Sequence, residues 1–504
     1  MLSLRSLAAY LPGACLQGPD VKVTGIAYDS RRIRAGELFV AIPGMRWDGH
    51  LFIPQALQRG AVAVAVQADH PHWVERLRED GVPTLVVDDA RAALSRLAAA
   101  FHGFPGKKLA VIGVTGTDGK TSLVHLIAHL LRYGGHQVGL MGTAGVDVGL
   151  GLEAWEGRTT PEAPELQAAL AAMVTHGCRY AVVECTSHGL ALRRVDDAYF
   201  DVAVMTHLGE DHLDFHGSWE AYRAAKGRLF SLLDEAPTKG VRKWAILNAD
   251  DPSWAYFRSL TRSEVLTYGL GSGSQVRALD VRPQGWGVAF HLLTPWGEAE
   301  VEVAVPGEAG VMGALAGAAT VLAMGLPLAV VAQGLASWRG APGRLELVDE
   351  GQPFQVVVDY AHAPQALARL LALARQSTPG RVIVVFGCIG GRDRHRRRPM
   401  GRIAGQLADY VIVTDDNPYD EERESIFQEI VAGLQEAGRE EGRDYLVVPD
   451  RRQAIAHALA MAREGDTVVL AGKGHETHVY ASSSAYHCDD REVARAILRR
   501  LKEG

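Results

Sequence analysis

The chain is poor in everything that staples or anchors a protein from outside its own core. Its five cysteines, Cys15, Cys178, Cys185, Cys388 and Cys488, are odd in number and scattered over 504 residues. No CxxC pair occurs, which excludes a disulfide framework and a cysteine metal knuckle and points to a reducing compartment. Positive charge is also short. Against 59 Asp and Glu stand 52 Lys and Arg, leaving a formal charge of -7, the wrong sign for a chain whose main partner is a nucleic acid. The first ten residues lack a basic segment followed by a sustained apolar run, so no signal peptide is expected. One uncharged stretch, Val311 to Ala336, has the length of a spanning helix, but Gly325-Leu326-Pro327 divides it. Two buried helices joined by a turn are expected there, with no membrane insertion and a cytoplasmic location.

What is present is a soluble composition, with 47% apolar and 22% charged residues, on a chain long enough for about three domains at roughly 150 residues each. Short apolar runs alternate with turns and helical patterns over the first hundred residues. A linker is expected around His102 to Lys108 and a second at Arg339-Gly340-Ala341-Pro342-Gly343. The expected architecture is α/β in three domains: a small N-terminal α/β domain over 1–104, a central mononucleotide-binding domain over 107–338, and a C-terminal Rossmann-like domain over 341–504. Continuous apolar runs such as Tyr180 to Glu184 and Phe200 to Met205 read as parallel strands covered on both faces.

The most informative segment follows the buried strand Leu109 to Val114. It reads Gly116-Thr117-Asp118-Gly119-Lys120-Thr121-Ser122 and runs into the apolar helix Leu123 to Leu131. Glycines let several N–H groups converge on one anion, and a helix N-terminus adds its positive end. Lys120 is placed to reach β/γ-phosphates, and the Thr121 hydroxyl to ligate Mg²⁺. The common GxxxxGK[ST] spacing would need a glycine at Val114, so this is a variant phosphate loop for ATP or GTP. Glu184 ends a buried strand, where a carboxylate suits Mg²⁺. His207, His212 and His216 fall within ten residues directly after another strand. Each alone reads as a structural histidine, and together they suggest a site. Lys226, taken by itself, is a solvated helix lysine.

Several segments in order resemble the Mur ligases of peptidoglycan assembly, over essentially the whole chain. These are the phosphate loop, the His-rich segment Thr206 to Phe230, Asn248-Ala249-Asp250-Asp251-Pro252, Pro342 to Glu346 and Val358 to Pro364. Tyr28-Asp29-Ser30-Arg31, Thr159-Thr160-Pro161-Glu162, Glu184 to Leu190, Asp416-Asn417-Pro418 and Gly472 to Glu476 look most like the member that adds the third peptide residue to UDP-N-acetylmuramoyl-L-alanyl-D-glutamate. The resemblance implies ATP, Mg²⁺ and CO₂ as cofactors, the last as a carbamate on Lys226, with Thr121, Glu184, His212 and Lys226 around the metal and Lys120, His212 and Lys226 catalytic. Asn248, Arg344 and Asp359 would join the loop in holding ATP. Tyr28, Ser30, Met45, Arg46, Trp47, Thr159, Thr160, Thr186 and Arg194 would hold the UDP-muramoyl-dipeptide. Arg392, Asp416, Asn417, Tyr419, Gly472 and Glu476 would hold a diamino acid. A monomer is expected.

Three departures stand out. Family members that add meso-diaminopimelate carry Asp-Asn-Pro-Arg, whereas this chain has Tyr419 in the arginine's place. Losing a charge-assisted hydrogen bond forfeits about 1.5–3 kcal/mol, so L-lysine or L-ornithine is expected, with Asp420, Glu421 or Glu476 near its ammonium. Diaminopimelate stays open because an arginine of the cluster Arg392 to Arg398 could substitute. The other arginines of that cluster read as a solvated basic loop. The asparagines expected after Pro306-Gly307 are absent, with Gly310 and Gly313 in that segment, and Leu192 replaces a glutamine. Two other readings remain: a folylpolyglutamate synthetase-like ligase, disfavoured by the hundred residues before the loop, and a non-catalytic nucleotide-binding protein, disfavoured by Lys120, Glu184, His212 and Lys226 together.

Overall fold

The computed structural model describes the chain except residues 45, 46, 154, 156, 392, 483 and 504, and residue 503 by its backbone alone. Met45, Arg46 and Arg392 therefore lie outside the described residues. The chain forms two compact units. The first comprises Met1–Leu279, Leu292–Ala299 and Leu315–Gly334; the second comprises Asp280–His291, Glu300–Ala314 and Leu335–Gly504.

The first unit holds a short two-stranded sheet, Leu2–Ser3 with Lys22–Val23, and two larger sheets. One has five strands in the order Cys15–Gln17, Thr84–Val87, Ala63–Gln67, Leu38–Val40 and Ile26–Ala27. Its apolar runs are buried on both faces, with Leu38, Val40, Ala63 and Leu85 in one core and Phe39, Val64, Trp73 and Leu77 in the other. The second sheet places Val138–Gly142, Tyr180–Glu184, Ala110–Thr115, Val202–Met205, Trp244–Asn248 and Glu264–Gly269 side by side, all parallel. After Ala110–Thr115 the chain goes first to one side of that strand and later to the other. Such a reversal opens a crevice at the carboxyl ends of the strands. The phosphate loop sits there, beside Glu184, which pairs with Val114, and beside Met205, which pairs with Thr115.

The second unit carries a sheet in the order Glu346–Leu347, Gln355–Asp359, Thr467–Ala471, Val382–Phe386, Tyr410–Val413 and Tyr445–Val447, parallel but for the first strand. Asp359 and Ala471 pair at the carboxyl end, so Asp359, Asp416 and Gly472 gather along one edge of the sheet. The uncharged stretch is two helices, Gly307–Ala323 and Leu328–Ser337, as the Gly-Leu-Pro break predicts, and no described helix is long and apolar enough to cross a membrane.

One buried ion pair pins that edge. Arg451 and Asp490 are both fully buried. The guanidinium donates to both Asp490 oxygens at 2.7 and 2.6 Å and to the carbonyls of Asp415 and Ala471 at 3.0 Å each. Removing one partner strands a buried charge, which costs about 3–5 kcal/mol. Asp490→Ala is expected to lower the stability of the second unit by that amount, read as a shift of its urea-unfolding transition. An unchanged midpoint would show that the pair is solvated.

Candidate active site

The loop after Ala110–Thr115 needs its glycines. Gly116 has φ +143°, and a Cβ there would sit 1.9 Å from Thr206 Oγ1; Gly119 has φ +81°. The helix expected from Leu123 begins three residues earlier, spanning Lys120–Tyr133, so Lys120 and Thr121 lie in its first turn. The segment after Val202–Met205 clamps the loop. Thr206 Oγ1 donates to the carbonyls of Thr115 and Asp118 at 3.3 and 2.6 Å, and the Thr117 amide donates to His207 O at 2.6 Å. Thr117 Oγ1 also lies 2.8 Å from the Tyr222 hydroxyl.

Two lysines converge on this loop. Lys120 Nζ donates to the carbonyls of Gly116 and Thr117 at 3.1 and 2.8 Å. Lys226 Nζ donates to the same Gly116 carbonyl. The expectation of a solvated lysine at 226 fails: the side chain is buried at 2% exposure. Burial first, and then the charge of Lys120, push its ammonium well below the ordinary lysine value. Helix Trp219–Glu235 turns Lys226 inward on the same face as Tyr222, whose ring lies 4.5 Å from Nζ.

Glu184 is buried at 2% exposure at the end of its strand. Its carboxylate accepts from the Thr121 hydroxyl at 3.1 and 3.2 Å and from the Thr143 amide and hydroxyl at 3.0 and 3.1 Å. A Cβ on Gly142 would lie 2.6 Å from Glu184 Oε2, so that glycine makes room for the carboxylate. This is an oxygen-only donor set at the mouth of a phosphate loop, which suits Mg²⁺. Thr143 was not singled out in the sequence. Its signal is its position at the carboxyl end of the neighbouring strand, visible only once strand order is known. His212 is half-exposed, 3.4 Å from Asp211, and its ring meets that of His188 at 4.7 Å. His188, also unassigned from sequence, lies on the short helix after Glu184. Burial first, then the neighbouring His212 and His216, bring His188 down to about 4.

The residues assigned to the rest of the substrate fall into distinct environments. Tyr28, Ser30 and Trp47 line one cavity of about 950 Å³ with Arg31, Arg158 and Glu165. The Tyr28 hydroxyl donates to Glu165 at 3.0 Å and Ser30 to Gln55 at 2.6 Å. Thr159 reaches Thr143 at 3.0 Å, Thr160 is bound to the Glu184 carbonyl at 2.8 Å and to Thr186 at 2.9 Å, and Arg194 donates to Thr160 O at 3.0 Å. These threonines therefore link the dipeptide assignments directly to Glu184. Asn248 is spoken for: its amide donates to Thr206 O at 2.8 Å and accepts from the Asp250 amide at 3.0 Å.

In the second unit, Lys473 Nζ donates to Asn417 Oδ1 at 3.0 Å and Glu476 at 2.8 Å, and Asn417 Nδ2 donates to Glu476 at 2.9 Å. Asp416 is buried at 1% exposure, and neither carboxylate oxygen has a hydrogen-bond partner. A Cβ on Gly472, which has φ +103°, would lie 3.1 Å from Asp416 Oδ2. Tyr419 has φ +50° and packs against Tyr480 at 6.0 Å. Arg344 lies 4.7 Å over the Tyr360 ring, and Asp359 accepts from the Leu345 amide at 2.9 Å. The expectation of a solvated basic loop is corrected at Arg397. That side chain is fully buried and paired with Glu421 at 2.7 Å and Glu429 at 3.2 Å. Arg394 and Arg398 pair with Glu429 and Glu436, and Arg396 donates to the carbonyls of Asp393 and His362.

A parallel sheet that opens at a glycine loop, with an oxygen-lined acid beside it, defines a nucleotide-phosphate-binding enzyme. Comparison with known proteins narrows the class. A model described as Mur ligase middle domain matches residues 114–321, one described as Mur ligase, glutamate ligase domain matches 343–474, and one described as Mur ligase family, catalytic domain matches 22–102. The chain is 45% identical over 495 residues, 96% of each chain, to the UDP-N-acetylmuramyl-tripeptide synthetase of Roseiflexus sp. (strain RS-1). It is 40% identical over 499 residues, 99% of each chain, to the UDP-N-acetylmuramoyl-L-alanyl-D-glutamate--2,6-diaminopimelate ligase of Geobacillus thermodenitrificans (strain NG80-2). A solved structure of a UDP-N-acetylmuramoyl-L-alanyl-D-glutamate--2,6-diaminopimelate ligase aligns with TM-score 0.67 at 30% identity, covering 95% of each chain. The chain belongs to the Mur ligase family, and is thus an ATP-dependent ligase that forms peptide bonds.

Gly116→Ala tests the loop. The added methyl must displace Thr206 or the loop itself, and a misplacement near 1 Å at such a site costs about a hundredfold in rate. The variant is expected to lose about that factor in ATP-dependent turnover while keeping the wild-type circular dichroism spectrum. Wild-type turnover would show that the loop does not carry the phosphates.

Proposed function

We propose that the protein adds a diamino acid, L-lysine or L-ornithine, to UDP-N-acetylmuramoyl-L-alanyl-D-glutamate at the expense of ATP, in the cytoplasm. The observation that carries this reading is the Glu184 carboxylate. It touches Thr121 of the phosphate loop on one side and, through Thr143 and the Thr160 hydroxyl on its own carbonyl, the dipeptide threonines on the other. ATP phosphates and an acceptor carboxylate would then meet at one point.

Glu184, Thr121 and a carbamate on Lys226, with His212 nearby, would hold Mg²⁺, which supplies neutralisation of phosphate charge. A neutral amine is what CO₂ requires: the nitrogen lone pair forms the N–C bond as one C=O π pair moves onto oxygen, and one proton leaves to solvent, turning a neutral amine into an anionic oxygen ligand. Burial and the neighbouring Lys120 favour that neutral amine. Lys120 meets the γ-phosphate as the D-glutamate carboxylate attacks it, giving an acyl phosphate and ADP. The amino group of the incoming amino acid then attacks the acyl carbon and phosphate departs.

Two features support the amino acid. Tyr419 supplies no charge for a distal carboxylate, and Arg394, Arg397 and Arg398 are already paired with glutamates. Asp416 offers a buried carboxylate with no partner, suited to an ammonium. The competing reading, meso-diaminopimelate, is favoured by relatives: the 40% identical protein and the 30% identical solved structure are both 2,6-diaminopimelate ligases, while the name of the 45% identical relative specifies no amino acid.

ADP release is expected to require UDP-N-acetylmuramoyl-L-alanyl-D-glutamate, and no stimulation by it would refute the reaction. Lys226→Ala should lose at least about a hundredfold in rate, beyond rescue by added CO₂; near-wild-type activity would refute the carbamate. In competition, lysine or ornithine should outpace diaminopimelate by about ten- to a hundredfold, the factor that roughly 1.5–3 kcal/mol represents. Faster incorporation of diaminopimelate would overturn the choice.

A further inference from the structure

Helix Ala163–Thr175 begins on an acidic residue that does not cap it. Glu162 stands at the N-cap with extended backbone, and its side chain makes no hydrogen bond to the helix amides, although an acid at that place ordinarily takes up the free N–H groups of the first turn. The side chain, 4% exposed, turns to two arginines instead. Its Oε1 accepts from Arg158 Nη1 and lies 2.9 Å from Arg194 Nε, an ion pair rather than an aligned hydrogen bond. Glu162 and Arg158 line the cavity of about 950 Å³ that also holds Tyr28 and Ser30, while Arg194 belongs with Thr160 and Thr186. Glu162 therefore stands where the two sets of substrate residues adjoin.

Arg194 is buried at 6% exposure and has two anchors. Nη1 donates to Thr160 O at 3.0 Å, and Nε meets Glu162. Thr160 in turn donates to Glu184 O at 2.8 Å, which places the first anchor beside the acid of the phosphate loop. A planar guanidinium held at one point turns about it; held at two, its remaining N–H groups keep one direction. Like charges press on this arrangement. Burial lowers Arg194 first, Glu162 works against that, and Arg158 and Arg91 add to the lowering. Arg91 is under the same influences, with burial first, Glu162 opposing it and Arg158 adding to it; its Nη1 is buried with no hydrogen-bond partner. The neighbouring acid Glu165 is bound to the Tyr28 hydroxyl at 3.0 Å, and burial raises it. Glu162 is thus the carboxylate that offsets the mutual repulsion of three guanidiniums.

We propose that Glu162 is a positioning residue for the dipeptide end of the substrate, holding Arg194 in register with Thr160 against the repulsion of Arg158 and Arg91. The inference rests on the ligase reading, which assigns Arg194 to the dipeptide. Charge counting alone makes the opposite demand. The dipeptide ends in carboxylates, so removing Glu162 raises the local positive charge by one and would tighten an anionic ligand. Positioning requires that the same removal weaken it, because Arg194 keeps its charge and loses its direction.

The test is calorimetric binding of UDP-N-acetylmuramoyl-L-alanyl-D-glutamate to the whole enzyme, together with KM for that ligand and for ATP. Glu162→Met keeps the length of the side chain and removes both its charge and its acceptor oxygens. It is expected to weaken binding of the ligand about tenfold and to leave KM for ATP at its wild-type value. Glu162→Gln keeps an acceptor and loses the charge, and should weaken binding about threefold; it carries the test by itself if Glu162→Met does not fold. Adding Glu162→Gln to Arg194→Gln should cost no further affinity, because a guanidinium that is gone cannot be misdirected. Tighter or unchanged binding in Glu162→Gln overturns the positioning role and leaves the ligase reading standing. A further loss in the Arg194→Gln background, or an equal rise in KM for ATP, means that Glu162 only supports the fold and overturns the role likewise. A wild-type enzyme that does not bind the ligand overturns the ligase reading and this inference with it.

Discussion

Two ammonium groups meet one backbone carbonyl, that of Gly116, and the centre of the first unit is arranged around that fact. Lys120 reaches it from the first turn of the helix that follows the loop; Lys226 reaches it from a helix a hundred residues later. Two like charges sharing one acceptor in a buried setting repel, and desolvation already disfavours the charge on Lys226. The site is therefore poised for one of the two to become something other than a cation. In the proposed reaction a phosphate would relieve Lys120, and conversion of its amine to an anion would relieve Lys226.

The surroundings hold this arrangement in place. Thr206 ties the loop at Thr115 and Asp118, Asn248 ties Thr206, and Tyr222 ties Thr117. The bonds at Thr115, Thr117 and Asn248 satisfy partly buried groups that would otherwise be left unpaired. The same economy explains Asn248, whose amide supports the loop from below, and Arg397, whose buried charge is met by two glutamates. Asp416 is the contrast. Its carboxylate is buried without a hydrogen-bond partner, an exception to the rule that buried polar groups are paired.

Much of the fold was legible because parallel strands buried on both faces read as continuous apolar runs. Tyr180 to Glu184 forms a strand over its whole run, and Phe200 to Met205 forms one over Val202–Met205. The phosphate loop was legible for a local reason: strand, glycines, lysine and helix are contiguous. Glu184 announced itself as an acid ending an apolar run. Thr143 and His188 did not, because their partners lie on neighbouring elements whose order no local pattern encodes. Arg397 misled for the same reason, since Glu421 and Glu429 are distant in sequence and only folding brings them to it.

By itself, then, the sequence determined the periodicities, the glycine loop and the ordered set of motifs that mark the family, since all of these depend on neighbours along the chain. Tertiary structure alone decided the charge states. Whether Lys226 is a surface cation or a buried amine, and whether the arginines near 397 are free or spent, depend on burial and on partners brought close in space. Electrostatic energies depend steeply on both, and neither is written in local sequence.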